Sequence, residues 1–103
     1  MDLDKPEAFS ALDAGGMARH LHDLPQQCLQ AWEKGRGLAL PASYRRAKRV
    51  VVCGLGGSAI GGDLAAGVAR QVPILVHRDY GAPPGLERWT LAIFSSYSGM
   101  TEE

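Results

Sequence analysis

The chain has 103 residues, room for one domain at most, and 46% of them are apolar, enough for a packed core. Eleven basic side chains balance eleven acidic ones, which argues against the broad basic footprint of a nucleic-acid binder. A local anion pocket built from backbone amides remains open, because amides carry no formal charge. Cys28 and Cys53 lie far apart without metal-type spacing, so neither a disulfide framework nor a metal site is expected, and a reducing cytoplasm fits best. The first residues, Met1 to Pro6, lack the basic-then-apolar order of a signal peptide, and no apolar run approaches the ~20 residues that span a bilayer. No membrane or nucleic-acid partner is expected.

Residues 1–15 are polar and read as an arm or a short helix. Met17, Leu21, Leu24 and Cys28 then recur at steps of four, three and four, one face of a helix. Pro25 interrupts the pattern, and Asp23 is placed to cap a fresh helix behind it. Two short helices follow from this, at about 16–22 and 24–34, closed by Gly35 and Gly37. Arg45, Arg46, Lys48 and Arg49 read as a solvated basic lead-in, and Trp32 and Trp89 as packing residues.

From residue 49 the pattern changes. Arg49 to Gly54 is a β-branched run closed by glycine, and its continuity suggests a strand covered on both faces, as in a parallel sheet. A glycine-rich loop follows, then Ile60, Leu64 and Val68 at helical steps. Val72 to His77 reads as a second strand, with Pro73 at its start where a missing N–H is tolerated. Thr90 to Ser95 reads as a third. Thr101-Glu102-Glu103 looks like the first turn of another helix, so the chain is expected to stop inside a domain. The domain reading is a helical lead-in over 1–48 and the first part of an α/β domain over 49–103. The expected fold is a three-layer, doubly wound parallel sheet of flavodoxin-like order 2-1-3, incomplete and preceded by short helices.

Two loops carry the chemistry. Gly54-Leu55-Gly56-Gly57-Ser58-Ala59-Ile60-Gly61-Gly62 joins the first strand to its helix. Its glycines admit a close ligand, and the helix behind it offers unpaired N–H groups to an anion. Gly61 and Gly62 fall within the helix, each costing ~1 kcal/mol relative to alanine, with close packing on the strand as the compensation. The second loop, Ser96-Tyr97-Ser98-Gly99-Met100-Thr101, places three aliphatic hydroxyls, those of Ser96, Ser98 and Thr101, at the next strand-to-helix junction. Helix capping explains one of these hydroxyls but not all three. Strands one and three are neighbours in a 2-1-3 sheet, so both loops open into the crevice at the strands' carboxyl ends, where ligands of such sheets bind.

The segments Gly56-Gly57-Ser58-Ala59-Ile60-Gly61-Gly62-Asp63, Arg78-Asp79-Tyr80 and Ser96-Tyr97-Ser98-Gly99-Met100-Thr101-Glu102-Glu103 resemble the amino-terminal half of bifunctional phosphoglucose/phosphomannose isomerases. These belong to the SIS (sugar isomerase) domain superfamily. The resemblance implies interconversion of glucose 6-phosphate or mannose 6-phosphate with fructose 6-phosphate, without a cofactor and in a homodimer. It implies that Gly56, Gly57, Ser58, Ser96, Ser98 and Thr101 hold the substrate phosphate. Family members usually carry Asn where this chain has Met100. It also implies that the catalytic base and acid lie beyond Glu103, so no catalytic residue is assigned here and the chain alone is expected to be inactive. Glu102 and Glu103 read instead as acidic residues favouring a helix dipole.

Two alternatives stay open. Gly54-Leu55-Gly56-Gly57-Ser58-Ala59 also fits the G-x-G-x-x-G/A fingerprint of an NAD(P)-binding Rossmann domain, with Asp79 near the end of strand two. A non-catalytic SIS-type sugar-phosphate sensor is the other. His20 and His22 read as solvated, His77 as a packing or surface residue, and Arg78 as one half of an edge salt bridge.

Overall fold

Val50, Val51 and Val52 are β-branched and stiff at χ1, and they form the centre of the only strand with neighbours on both sides among the described residues. The computed structural model describes residue 2 and residues 4–100. Thr101, Glu102 and Glu103, with the helical turn expected of them, lie outside the described residues. The chain divides into two compact units, Met1–Ala39 and Leu40–Glu103.

The first unit holds α1 (Pro6–Ser10) and α2 (Met17–Arg36). Where two helices were expected, α2 runs unbroken through Pro25 for 20 residues. Proline removes one i→i−4 bond and crowds the preceding turn, typically at a cost of ~3 kcal/mol, but it leaves the rest of the helical ladder available. The cap is not Asp23, which sits inside the helix with Arg19 at 3.7 Å and His22 at 3.2 Å. Asp13 takes that role. Its Oδ1 accepts the Met17 N–H at 2.7 Å and its Oδ2 the Ala18 N–H at 2.9 Å. These bonds hold the Asp13 carboxyl below its ordinary pKa of 3.8, the Ala18 bond contributing most and the Met17 bond next. No residue of α2 is buried, and Trp32, expected to pack, is exposed.

The second unit opens with a 3-10 turn, Ala42–Arg46, and continues into β1 (Arg49–Cys53), a 3-10 turn at Gly56–Ala59, α3 (Ile60–Val68), β2 (Ile74–His77) and β3 (Thr90–Phe94). The sheet order is β2-β1-β3 and both pairings are parallel. Val51 lies opposite Leu75 on one side and Ala92 on the other. This is the α/β arrangement and strand order read from the sequence. β2 is two residues shorter than expected. Pro73 has no N–H to donate, and it contributes only its carbonyl, to the Val50 N–H at 2.9 Å.

The core is Val51, Val52, Cys53 and Ala59. α3 seats on the sheet through Gly62, where an added Cβ would stand 2.9 Å from Val52 Cβ and 3.1 Å from Val76 Cγ2. Ile60, Leu64 and Val68, the residues that signalled the helix, point away from the sheet and are exposed. Arg49, expected in solvent, is largely covered. Its guanidinium bonds Thr90 Oγ1 at 3.1 Å and the Gly85 carbonyl, which ties the Pro/Gly-rich connection to the start of β1.

Candidate functional site

β1 ends in Cys53 and Gly54, and the chain leaves the sheet there under close restraint. The Gly54 N–H bonds the His77 carbonyl at 3.1 Å, and the Ser95 N–H bonds the Cys53 carbonyl at 2.8 Å. A Cβ on Gly54 would meet the Ser95 carbonyl oxygen at 3.0 Å and the Ser58 carbonyl carbon at 3.2 Å. The absence of a side chain at Gly54 is what lets the loop after β1 and the loop after β3 approach each other. Gly56 then turns the chain at φ +55°, a left-handed conformation that glycine adopts without a Cβ penalty. The Ser58 N–H closes the 3-10 turn on the Leu55 carbonyl at 3.1 Å.

The two loops border one open crevice of about 640 Å³, lined by Gly57, Ser58, Gly61, Ser95, Ser96 and Tyr97. It lies at the carboxyl ends of neighbouring strands β1 and β3. Of the six residues expected to hold a phosphate, Gly57, Ser58 and Ser96 line it. Gly56 shapes the first loop without lining the crevice. Ser98 bends back on its own backbone, its Oγ accepting the Met100 N–H at 3.2 Å, and Ser96 Oγ accepts the Gly99 N–H at 2.9 Å. Thr101 lies outside the described residues.

Sequence reasoning missed three lining residues. The sequence pattern makes Gly61 a packing glycine like Gly62. Instead an added Cβ there meets nothing within 4 Å, and the residue forms part of the crevice wall. The apolar run extends strand three to Ser95, whereas the strand stops at Phe94 and Ser95 lines the crevice. Tyr97 had no separable signal within a loop chosen for its hydroxyls.

Small groups and amide-rich turns give the crevice its character, and among the described residues no charged side chain lines it. Asp63, in the first turn of α3, is ion-paired with Arg78, which directly follows β2. Asp79 Oδ1 accepts the N–H of Tyr80 at 2.7 Å. His77 is half-buried, and its Nε2 has no hydrogen-bond partner among the described residues. Cys53 is a buried core residue, and that burial pushes its thiol above its ordinary pKa of 9.0. Among the described residues no His, Cys, Asp and Glu cluster fits a metal ion, and no helix is long and apolar enough to cross a membrane.

Over 90 residues the chain is 40% identical to the bifunctional phosphoglucose/phosphomannose isomerase of Caldicellulosiruptor bescii. The chain is related to the bifunctional phosphoglucose/phosphomannose isomerases. The similarity extends over 84% of this chain and 26% of that isomerase, so the chain spans about a quarter of its curated relative. No family profile matches the chain, and no solved structure does. With 84% of the chain included, the likeness to the isomerase is not confined to two short glycine- and serine-rich loops.

Proposed function

We propose that this chain is the sugar-phosphate-binding part of an aldose–ketose isomerase that interconverts glucose 6-phosphate or mannose 6-phosphate with fructose 6-phosphate. The observation that carries the reading is the shared crevice. Two loops far apart in sequence, around Ser58 and Ser96, border one opening at the carboxyl ends of β1 and β3, and the relative that the chain resembles is a phosphoglucose/phosphomannose isomerase.

In this reading the phosphate enters over Gly56, Gly57 and Ser58 and is closed in by Ser96, Ser98 and Thr101. Backbone amides and hydroxyls suit a phosphate because they donate hydrogen bonds without a desolvated counter-charge. Aldose–ketose exchange opens the sugar ring and moves a proton between C1 and C2 through an enediolate. It needs a general base and an acid for ring opening. Neither role is assigned to a residue of this chain. Its contribution is to hold the phosphate and so orient C1 and C2 toward groups supplied by the rest of a longer protein.

Titration of the chain with glucose 6-phosphate, with NAD as the control ligand, tests the reading. Saturable binding of the sugar phosphate and none of NAD is expected. Ser58→Ala and Ser98→Ala should each weaken that binding by about 1.5–3 kcal/mol, the usual worth of a hydrogen bond to a charged group. Unchanged affinity in both variants, or preference for NAD, would overturn it. No isomerase turnover is expected from residues 1–103 alone.

A further inference from the structure

The residues around α3 show how the crevice wall is held. The loop from Gly54 to Gly62 is fixed at its entrance by the Gly54 N–H to His77 carbonyl bond. At its exit Gly62 is pressed against Val52 and Val76. One residue further on, Asp63 pairs with Arg78, the residue after His77. The tip of β2 therefore grips both ends of the loop, through a backbone bond at residue 77 and an ion pair at residue 78.

We propose that Arg78 and Asp63 are positioning residues for the crevice. The pair fastens the first turn of α3 to the tip of β2 and so holds Gly57, Ser58 and Gly61 in line, and Arg78 neutralises a carboxylate two residues from the crevice wall. The mechanical half follows from the contacts alone. The electrostatic half rests on the sugar-phosphate reading, because an unpaired Asp63 would repel an incoming anion. Both side chains are about half exposed, 44% for Arg78 and 48% for Asp63. A pair so exposed contributes little to global stability, which separates a local positioning role from support of the whole sheet.

The experiment uses the 103-residue chain and three variants: Arg78→Ala, Arg78→Lys, and the double variant Asp63→Asn/Arg78→Ala. The first readout is amide hydrogen exchange without ligand at Ser58 and Ile60, whose N–H groups bond the Leu55 and Gly57 carbonyls. In Arg78→Ala these two amides should exchange on the order of threefold faster, the scale of an exposed ion pair, while the β1 amides keep their rates. Arg78→Lys should restore the slow rates. The second readout is the dissociation constant for glucose 6-phosphate. It should rise in Arg78→Ala and recover only in part in the double variant, which removes the uncompensated carboxylate but leaves the crevice wall loosened.

Unchanged exchange at Ser58 and Ile60 in Arg78→Ala would overturn the proposal, as would equal acceleration throughout β1. Altered exchange in a chain that binds no sugar phosphate would leave the positioning role standing and remove the functional reading and the electrostatic half with it. Failure of the double variant to recover affinity would remove the electrostatic half alone.

Discussion

Gly61 and Gly62 are chemically identical neighbours with opposite surroundings. An added Cβ at Gly62 would stand 2.9 Å from Val52 Cβ and 3.0 Å from Val52 Cγ1, whereas one at Gly61 meets nothing within 4 Å. Both sit inside α3, where alanine is favoured over glycine by ~1 kcal/mol. At position 62 overpacking against the stiff valine of β1 should outweigh that gain. Gly62→Ala is expected to destabilise the chain by about 1–3 kcal/mol. At position 61 only the propensity gain applies, so Gly61→Ala should stabilise by up to ~1 kcal/mol while placing a methyl group in the crevice wall, which on the proposed sugar-phosphate reading weakens binding. Urea denaturation of both variants checks the two signs, and equal effects would contradict this account of the packing. The pair also shows what was legible. Glycines after a β-branched run announce a loop and a tight helix seat. Which glycine faces the sheet and which the crevice depends on the angle of α3, and one residue shifts that angle by about 100°.

At the scale of elements, every strand of the sheet was visible as a run of β-branched or apolar residues, and the parallel pairing of β1 with β2 followed from the strand-loop-helix-strand sequence that joins them. The helices were harder to read for two physical reasons. Ile60, Leu64 and Val68 have the spacing of a buried face, yet they lie on the outside of α3 because Gly62 and Ala59 let that side approach the sheet more closely. Periodicity identifies a helix but does not say which side is pressed inward when the other side carries small residues. In α2, Pro25 and Asp23 together imitate a break and a cap, while the true cap, Asp13, lies three residues before the helix-entry residue Gly16. Asp13→Ala should therefore reduce the helical circular-dichroism signal of the chain, whereas Asp23→Ala should have a smaller effect. The cap also sets a pH dependence. The folded-state pKa of Asp13 is lowered, so the ionised cap favours the helix above the ordinary value of 3.8. That support is lost as pH falls through the depressed value. A helix signal that drops below about pH 4 in the parent and is already reduced at pH 7 in Asp13→Ala is the expected result. Identical pH profiles for the two would rule out Asp13 as the cap.

For the whole molecule, the balance of buried and exposed apolar surface is the governing quantity. Val51, Val52, Cys53 and Ala59 are the described buried hydrophobic residues, while Ile93 is 44% and Phe94 69% exposed on β3. β3 pairs with β1 on one side, and among the described residues its other edge has no strand partner. Unpaired N–H and C=O groups beside exposed apolar side chains make a strand edge adhesive. The crevice opens at the end of this same strand, so association along β3 would take place beside Ser95 and Ser96, which line it. The isolated chain should associate as its concentration rises, with Phe94 buried in the contact. Phe94→Lys removes that apolar surface and places a charge at the edge. Burial of one such side chain is worth about 1.5–3 kcal/mol, so the association constant should fall by roughly ten- to a hundredfold. Sedimentation velocity across a concentration series measures it. A parent chain that stays monomeric, or a variant that associates as strongly as the parent, would show that the β3 edge around Phe94 is not a contact surface.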